Sequence, residues 1–177
     1  MNGFSPQRFN GYVSRNNGIA TGNRYQVEIG KSSENRDITL LCHNAKVMGR
    51  TFNLNSQIYG YGSEYNLPVG QNFEDFSLSF HCTYGKNYET DGLPEYRFFN
   101  NWMDNVINTG NVIQWKKDYQ KDIYVNLLNG SDDIIWRQKF ISSIPISISE
   151  LELSSAGTEL LTFDVTFTYD SWLANVK

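Results

Sequence analysis

The sequence predicts a single mainly-β domain: two packed antiparallel sheets, a sandwich or partial barrel, flanked by one α-helix. Three observations predict it. Aromatic residues make up 15% of the 177 positions, while Ala occurs only at 20, 45, 156 and 174, a balance that favours sheet over helix. Apolar and polar residues alternate in run after run, the period of a half-buried strand. One segment alone, about 93–108, breaks that period with the spacing of an amphipathic helix. A chain of this length buries about 70% of its unfolded surface, so its core needs neither disulfide nor metal.

The elements follow in order. Residues 1–22 read as an N-terminal arm without sustained period, broken by the turn-prone pairs Asn10-Gly11, Asn17-Gly18 and Gly22-Asn23. Phe4, Phe9, Tyr12 and Val13 are spaced apolar anchors in it, expected to dock either on the chain's own domain or on a neighbour. Residues 23–177 form the single β domain. Its first strand begins at Arg24, with Tyr25, Val27 and Ile29 on one face. A second spans 37–43, with Ile38, Leu40 and Cys42 inward. Residues 45–72 are interrupted by Gly49, Gly60, Gly62, Pro68 and Gly70. They read as a long, mobile β-excursion rather than packed core. Its apolar members Phe52, Leu54, Ile58, Tyr59, Tyr61 and Leu67 are too many for an idle solvent loop.

The clearest strand is 73–84, where Phe76, Leu78, Phe80 and Cys82 alternate with Ser77, Ser79, His81 and Thr83. In the helix, Phe98, Trp102 and Val106 form one row and Phe99, Met103 and Ile107 the next. Pro94 is tolerable in the first turn, where amide donors are free. Two strands, 123–128 and 134–141, flank Asn129-Gly130, a strong hairpin signal. Residues 144–153 alternate again, and Pro145 belongs at an edge or bulge because it removes a ladder donor. The last strand, 160–169, sets Leu161, Phe163, Val165, Phe167 and Tyr169 against Thr162, Asp164, Thr166 and Thr168. The count is seven or eight strands and one helix.

Composition excludes several function classes. Net charge is −4 and the isoelectric point about 5.1, the wrong sign for tight nucleic-acid binding. No apolar run approaches the length of a membrane span. The N-terminal residues lack the apolar core of a signal peptide, which predicts a cytoplasmic protein with Cys42 and Cys82 reduced. Cys42-His43 and His81-Cys82 invite a metal reading. Adjacent strand residues point to opposite faces, however, so neither pair can ligate one ion together. No nucleophile elbow or phosphate loop is present. The expectation is a protein with no enzyme activity, no cofactor and no metal. The polar strand faces are the unusual feature: small hydroxyls with almost no Lys or Arg. They suit either a plain solvated face or a surface facing something that must not stick.

The order of these signals resembles the tail tube protein family of contractile-tailed bacteriophages. The stretches that carry the resemblance are Arg24-Tyr25-Gln26-Val27-Glu28-Ile29, Leu40-Leu41-Cys42-His43-Asn44-Ala45, Phe73 to Phe80, Phe99-Asn100-Asn101-Trp102, Ile148 to Leu153, and Leu161 to Trp172. They cover roughly residues 22–173, and no one of them is specific alone. Gly22-Asn23-Arg24 departs from the family's proline-containing turn before the first strand. Baseplate tube initiators and secretion-system tube proteins share the pattern.

The resemblance implies hexameric rings stacked into a hollow tube inside a contractile sheath, in a virion tail assembled in the host cytoplasm. The implied partners are the sheath protein, baseplate tube initiators, a tail terminator, and double-stranded DNA that passes through the bore without tight binding. Each subunit would lend about four strands to a continuous barrel. Twenty-four strands about 4.8 Å apart and tilted about 40° give a backbone diameter near 48 Å, leaving a bore of roughly 35–40 Å. On this reading Ser77, Ser79, His81, Thr83, Thr162, Asp164, Thr166 and Thr168 face the bore. Phe52, Leu54, Ile58, Tyr59, Tyr61 and Leu67 contact the next ring. The alternatives are a tube initiator or secretion tube of the same fold and, from another class, a glycan-binding β-sandwich using Trp115, Trp136 or Trp172.

Overall fold

The computed structural model describes residues 5–15, 19–30, 39, 41–49, 51–59, 63–86, 92–107, 112–154 and 160–175. Nine strands and three helices lie among them: α1 (Pro6–Arg15), β1 (Tyr25–Ile29), β2 (Cys42–Ala45), β3 (Thr51–Tyr59), β4 (Ser63–Asn72), β5 (Phe76–His81), α2 (Pro94–Val106), α3 (Lys116–Tyr119), β6 (Lys121–Leu128), β7 (Ile134–Ile148), β8 (Thr162–Thr168) and β9 (Ser171–Ala174). All strand pairs are antiparallel, and one hydrogen-bonded path runs β1-β6-β7-β8-β5-β2, with β9 also on β7.

β7 creates the two layers. Its first half pairs with β6 and β9, and its second half with β8. Between them Ser142 adopts φ 58°, and its N–H donates to Asp122 Oδ1 at 3.1 Å. A left-handed residue inside a ladder bends the strand, and here it carries β7 from one layer to the other. Residues 134–141 and 144–148 are therefore one bent strand rather than the two expected. Pro145 sits where the β7–β8 register shifts, the bulge its missing donor calls for.

The two layers share one aromatic core. Phe76 of β5 stacks on Phe140 of β7 at 4.0 Å between ring centroids, joining the layers. Phe80 and Phe163 meet Phe99 of α2 at 4.8 and 5.9 Å. The helix buries Phe99 and Trp102, as its stripe requires, and Trp102 Nε1 donates to Tyr119 O at 2.6 Å. Ile107, at the end of the expected stripe, is half exposed.

Other expectations change. The arm is not aperiodic: Phe9, Tyr12 and Val13 stand at i, i+3 and i+4 on α1, where Pro6 opens the helix and Gly11 lies within it. β2 begins at Cys42, later than the 37–43 run, and Ile38 and Leu40 lie outside the described residues. The excursion is a regular hairpin, with β3 and β4 paired along their whole length around one bulge between Asn53 and Leu54. The 129–132 turn forms as expected. Asn129 Oδ1 accepts from the N–H groups of Ser131 and Asp133 at 2.7 and 2.9 Å, and Asp132 takes the left-handed position at φ 64°. Among the described residues no helix is long and apolar enough to cross a membrane.

Candidate functional site

The two layers present different chemistry outward. On the layer β7-β8-β5-β2, the period of two buries Phe76, Leu78, Phe80, Phe163, Val165 and Phe167. The intervening residues are forced to the opposite face. Strand register then aligns them in rows across the layer. Ser147 faces Thr166, which faces Ser77, and the Ser77 and Thr166 hydroxyls lie 3.2 Å apart. Asp164 faces Ser79, which faces Asn44. The Asp164 N–H donates to Ser149 Oγ at 2.9 Å, and the Ser149 N–H to Asp164 O at 2.8 Å. His81 faces Thr162. Thr168 pairs with Ile144 at the far end.

Seven of the eight residues assigned to a bore thus share one polar face. Thr83 does not. β5 closes at His81, and beyond it Thr83 turns to α2. Its N–H and hydroxyl donate to the carboxylate of Glu95 at 3.0 and 2.6 Å. Glu95 is 3% exposed, and a buried carboxylate needs such donors. A polar residue in the first turn of a helix drew Thr83 off the alternation.

The structure also brings together two side chains that the sequence left separate. The β2–β5 register shifts between Cys42 and Asn44, and His43 lies in that irregularity with its ring stacked on His81 at 4.2 Å. Burial and the neighbouring His81 hold His43 below the ordinary imidazole pKa, against the opposing pull of Asp164. The alternation on β2 and β5 put both histidines opposite their cysteines. Only the pairing of the two strands made them neighbours. Among the described residues no group of three or more His, Cys, Asp or Glu side chains could hold a metal ion. Burial pushes the Cys42 thiol up to about 12, far from a nucleophile. Both Cys42 and Cys82 are free thiols.

Within the paired rows, Asp164 is the formal charge. Lys46 follows β2 at the layer's corner, where its N–H donates to Ser77 O at 3.3 Å. The outward face of the other layer is a charged lattice instead. Glu28 accepts from Asn126 Nδ2 at 2.6 Å, and Arg137 Nε donates to Asn126 Oδ1 at 2.7 Å. Lys139 Nζ pairs with Asp122 at 2.7 Å, and the Tyr124 ring lies beneath both Arg137 and Lys139.

The layer β7-β8-β5-β2 has an open edge at each side among the described residues: β2 pairs only with β5, and residues 144–148 of β7 only with β8. An open edge is a template for another chain. The β3–β4 hairpin leaves the layer at the end marked by Ala45 and Phe76, with Phe52, Leu54, Tyr65, Leu67 and Val69 exposed. Phe9 and Tyr12 are exposed on α1. Phe4 and Tyr61, and the side chains of Ile58 and Tyr59, lie outside the described residues. Of the tryptophans open to a glycan role, Trp115 is 78% exposed, while Trp172 packs against the core.

A family model described as phage tail tube protein matches residues 6–175. Solved structures are similar too, among them the following three, each matched over most of its length. The tube-terminating cap of the anti-feeding prophage is 16% identical, with a TM-score of 0.68 over 90% of this chain and 92% of that one. A chain of the PVC sheath-tube complex, from an extracellular contractile injection system in the extended state, is 12% identical, with a TM-score of 0.67 over 99% and 100%. A chain of the sheath/tube terminator of that system is also 12% identical, with a TM-score of 0.67 over 89% and 97%. No curated protein matches the sequence.

Proposed function

The chain belongs to the phage tail tube protein family, a structural family and not an enzyme family; from that premise we propose that it forms hexameric rings that stack into the hollow tube of a contractile tail, through which DNA is ejected. The observation that carries this reading is the four-stranded layer β7-β8-β5-β2. It has a face of small hydroxyls and an open edge at each side. Joining β2 of one copy to β7 of the next pairs both edges of this layer and closes it into a barrel, which leaves that layer no edge.

The bore face is then Ser77, Ser79, His81, Thr162, Asp164, Thr166 and Thr168. Hydroxyls hold water and offer phosphate no fixed cation, so passing DNA gains no counterion-release energy from them. The charged lattice of Glu28, Arg137, Lys139 and Asp122 turns outward, towards the sheath protein. α1 docks through Phe9, Tyr12 and Val13 on an adjacent subunit, with residues 1–22 acting as an arm to the β domain. The hairpin carries Phe52, Leu54 and Leu67 to the next ring, together with Ile58, Tyr59 and Tyr61. Tube initiator, terminator and sheath are the further partners, in a virion tail assembled in the host cytoplasm.

A second reading has its own support: two of the similar structures described above come from tube terminators. A terminator or initiator stops at a ring or two, whereas a main tube protein polymerises without limit. Negative-stain microscopy and light scattering of the purified protein at high concentration separate these. Long hollow tubes are expected. Isolated rings favour a tube-end role, and a persistent 20.4 kDa species would defeat both.

A further inference from the structure

The layer that carries the open edges has two unlike ends. The β3–β4 hairpin is rooted at the end where Ala45 and Phe76 lie. In the antiparallel register Phe76 pairs with Phe167, and His81 with Thr162. The opposite end is therefore that of His81, Thr162 and Ser149. There the chain forms a concave groove of about 1000 Å³, lined by Tyr84, Glu150, Glu152, Leu153, Leu160 and Asp164 among others. Tyr84 is 99% exposed, Leu153 82% and Leu160 75%. Large apolar side chains gathered at one groove mark a contact surface.

We propose that this groove receives the β3–β4 hairpin of a second copy of the chain in the adjacent ring. The inference rests on the tube reading above and assigns the receiving surface for its stacking contact. Three observations select this occupant. First, knob and groove stand at opposite ends of the same strands, the arrangement of a head-to-tail contact that repeats without closing.

Second, the hairpin has apolar residues on both faces. Phe52 and Leu54 lie on one, and Tyr65 and Leu67 on the other by their register with Gln57 and Asn55. A ribbon of that kind needs covering on two sides, which a groove supplies and a flat surface does not. Phe52 and Tyr65 together expose on the order of 200 Å². That is small for a lone dimer, but a ring repeats the contact around its circumference, and linked contacts reinforce one another.

Third, the hairpin supplies amide donors. Its one charged residue among those described, Glu64, has the same sign as the groove's Glu150, Glu152 and Asp164 and adds no attraction. The hairpin's exposed amides Asn55 and Asn66 are donors that the carboxylates of Glu150 and Glu152 can accept.

Two experiments test the groove. In the double variant Leu153→Asp/Leu160→Asp both sites are solvent-exposed, so an unchanged thermal midpoint confirms folding. Rings are expected to persist while the pelletable tube fraction falls at least tenfold. In the second, Val69→Cys and Leu153→Cys are combined in assembled tubes and treated with a short bismaleimide. A ladder of linked subunits is expected that neither single variant gives. Wild-type tubes with equally long variant tubes, or with no ladder, would overturn the groove assignment and leave the tube reading intact. Loss of the rings themselves in the double variant would assign the groove to a neighbour within the ring, and so overturn it too. A wild-type protein that forms neither rings nor tubes would overturn both readings.

Discussion

Replacing Asp164 and Thr166 with Lys reverses the character of the polar face without touching the core. Both side chains lie on the face away from Phe163, Val165 and Phe167. The Asp164 contact to Ser149 is made by its backbone amide, which survives substitution. Losing the Thr166 hydroxyl beside Ser77 costs about 1 kcal/mol, the worth of an ordinary hydrogen bond. Each copy gains three units of positive charge, and a ring of six about eighteen. If about six of these lysines per ring neutralise phosphates, affinity for duplex DNA falls about 10³-fold between 50 and 200 mM salt. The assay is sedimentation of preassembled tubes with a labelled duplex across that salt range. Wild-type tubes are expected to retain none, and variant tubes to retain it at 50 mM and release it by 200 mM. In the virion the same change should stall ejection while tubes still form. Variant tubes that ignore DNA at 50 mM and fail instead to nucleate sheath would refute the reasoning, because the face would then point outward.

Three further outcomes follow from the packing. Phe163→Ala removes a ring that is 2% exposed and in contact with Phe80, Tyr96 and Phe99. It should cost about 3–5 kcal/mol, or about 10 °C in thermal midpoint, read by calorimetry on rings or monomer. Thr83→Val leaves buried Glu95 without its 2.6 Å hydroxyl donor and should lose about 1–3 kcal/mol in urea unfolding, with Thr83→Ser restoring it. Because His43 is held below its ordinary pKa in the fold, the unfolded chain takes up the proton first. The stabilisation is complete above about pH 6.5 and is lost as pH falls from there through the lower pKa of the folded state. The denaturation midpoint should drop from pH 7.5 to 5.5, modestly because His43 is exposed, and His43→Gln should shrink the drop.

Elements governed by local period were legible. Alternation on β5 and β8 assigned inward and outward residues one by one, because neighbouring side chains of a strand leave on opposite faces. Only Thr83 was misassigned, and it lies past the last ladder bond of β5. The helix at Pro94–Val106 and the Asn129 turn were equally plain, since spacing and side-chain capping act within a few residues. α1 was missed because Gly11 and the surrounding Asn pairs read as turns. The i, i+3, i+4 spacing of Phe9, Tyr12 and Val13 was the available signal. By sequence alone 45–72 reads as an interrupted, mobile excursion, because Gly70 and Pro68 weaken a lone strand. Paired with Asn53 and Leu54, they fit beside the β3–β4 bulge.

What the sequence determined alone was the class of the fold and the sorting of each long strand into a core face and a hydroxyl face. Those depend on covalent geometry and local period. Pairing across distance was decided only by the tertiary structure. It made β7 one bent strand shared by two layers, set His43 on His81, and turned Thr83 towards Glu95. It also placed the hairpin and the Leu153–Leu160 groove at opposite ends of the same strands. Each of these joins residues far apart in the chain, and the free energy that selects them comes from burying both partners at once. No window of sequence contains that term.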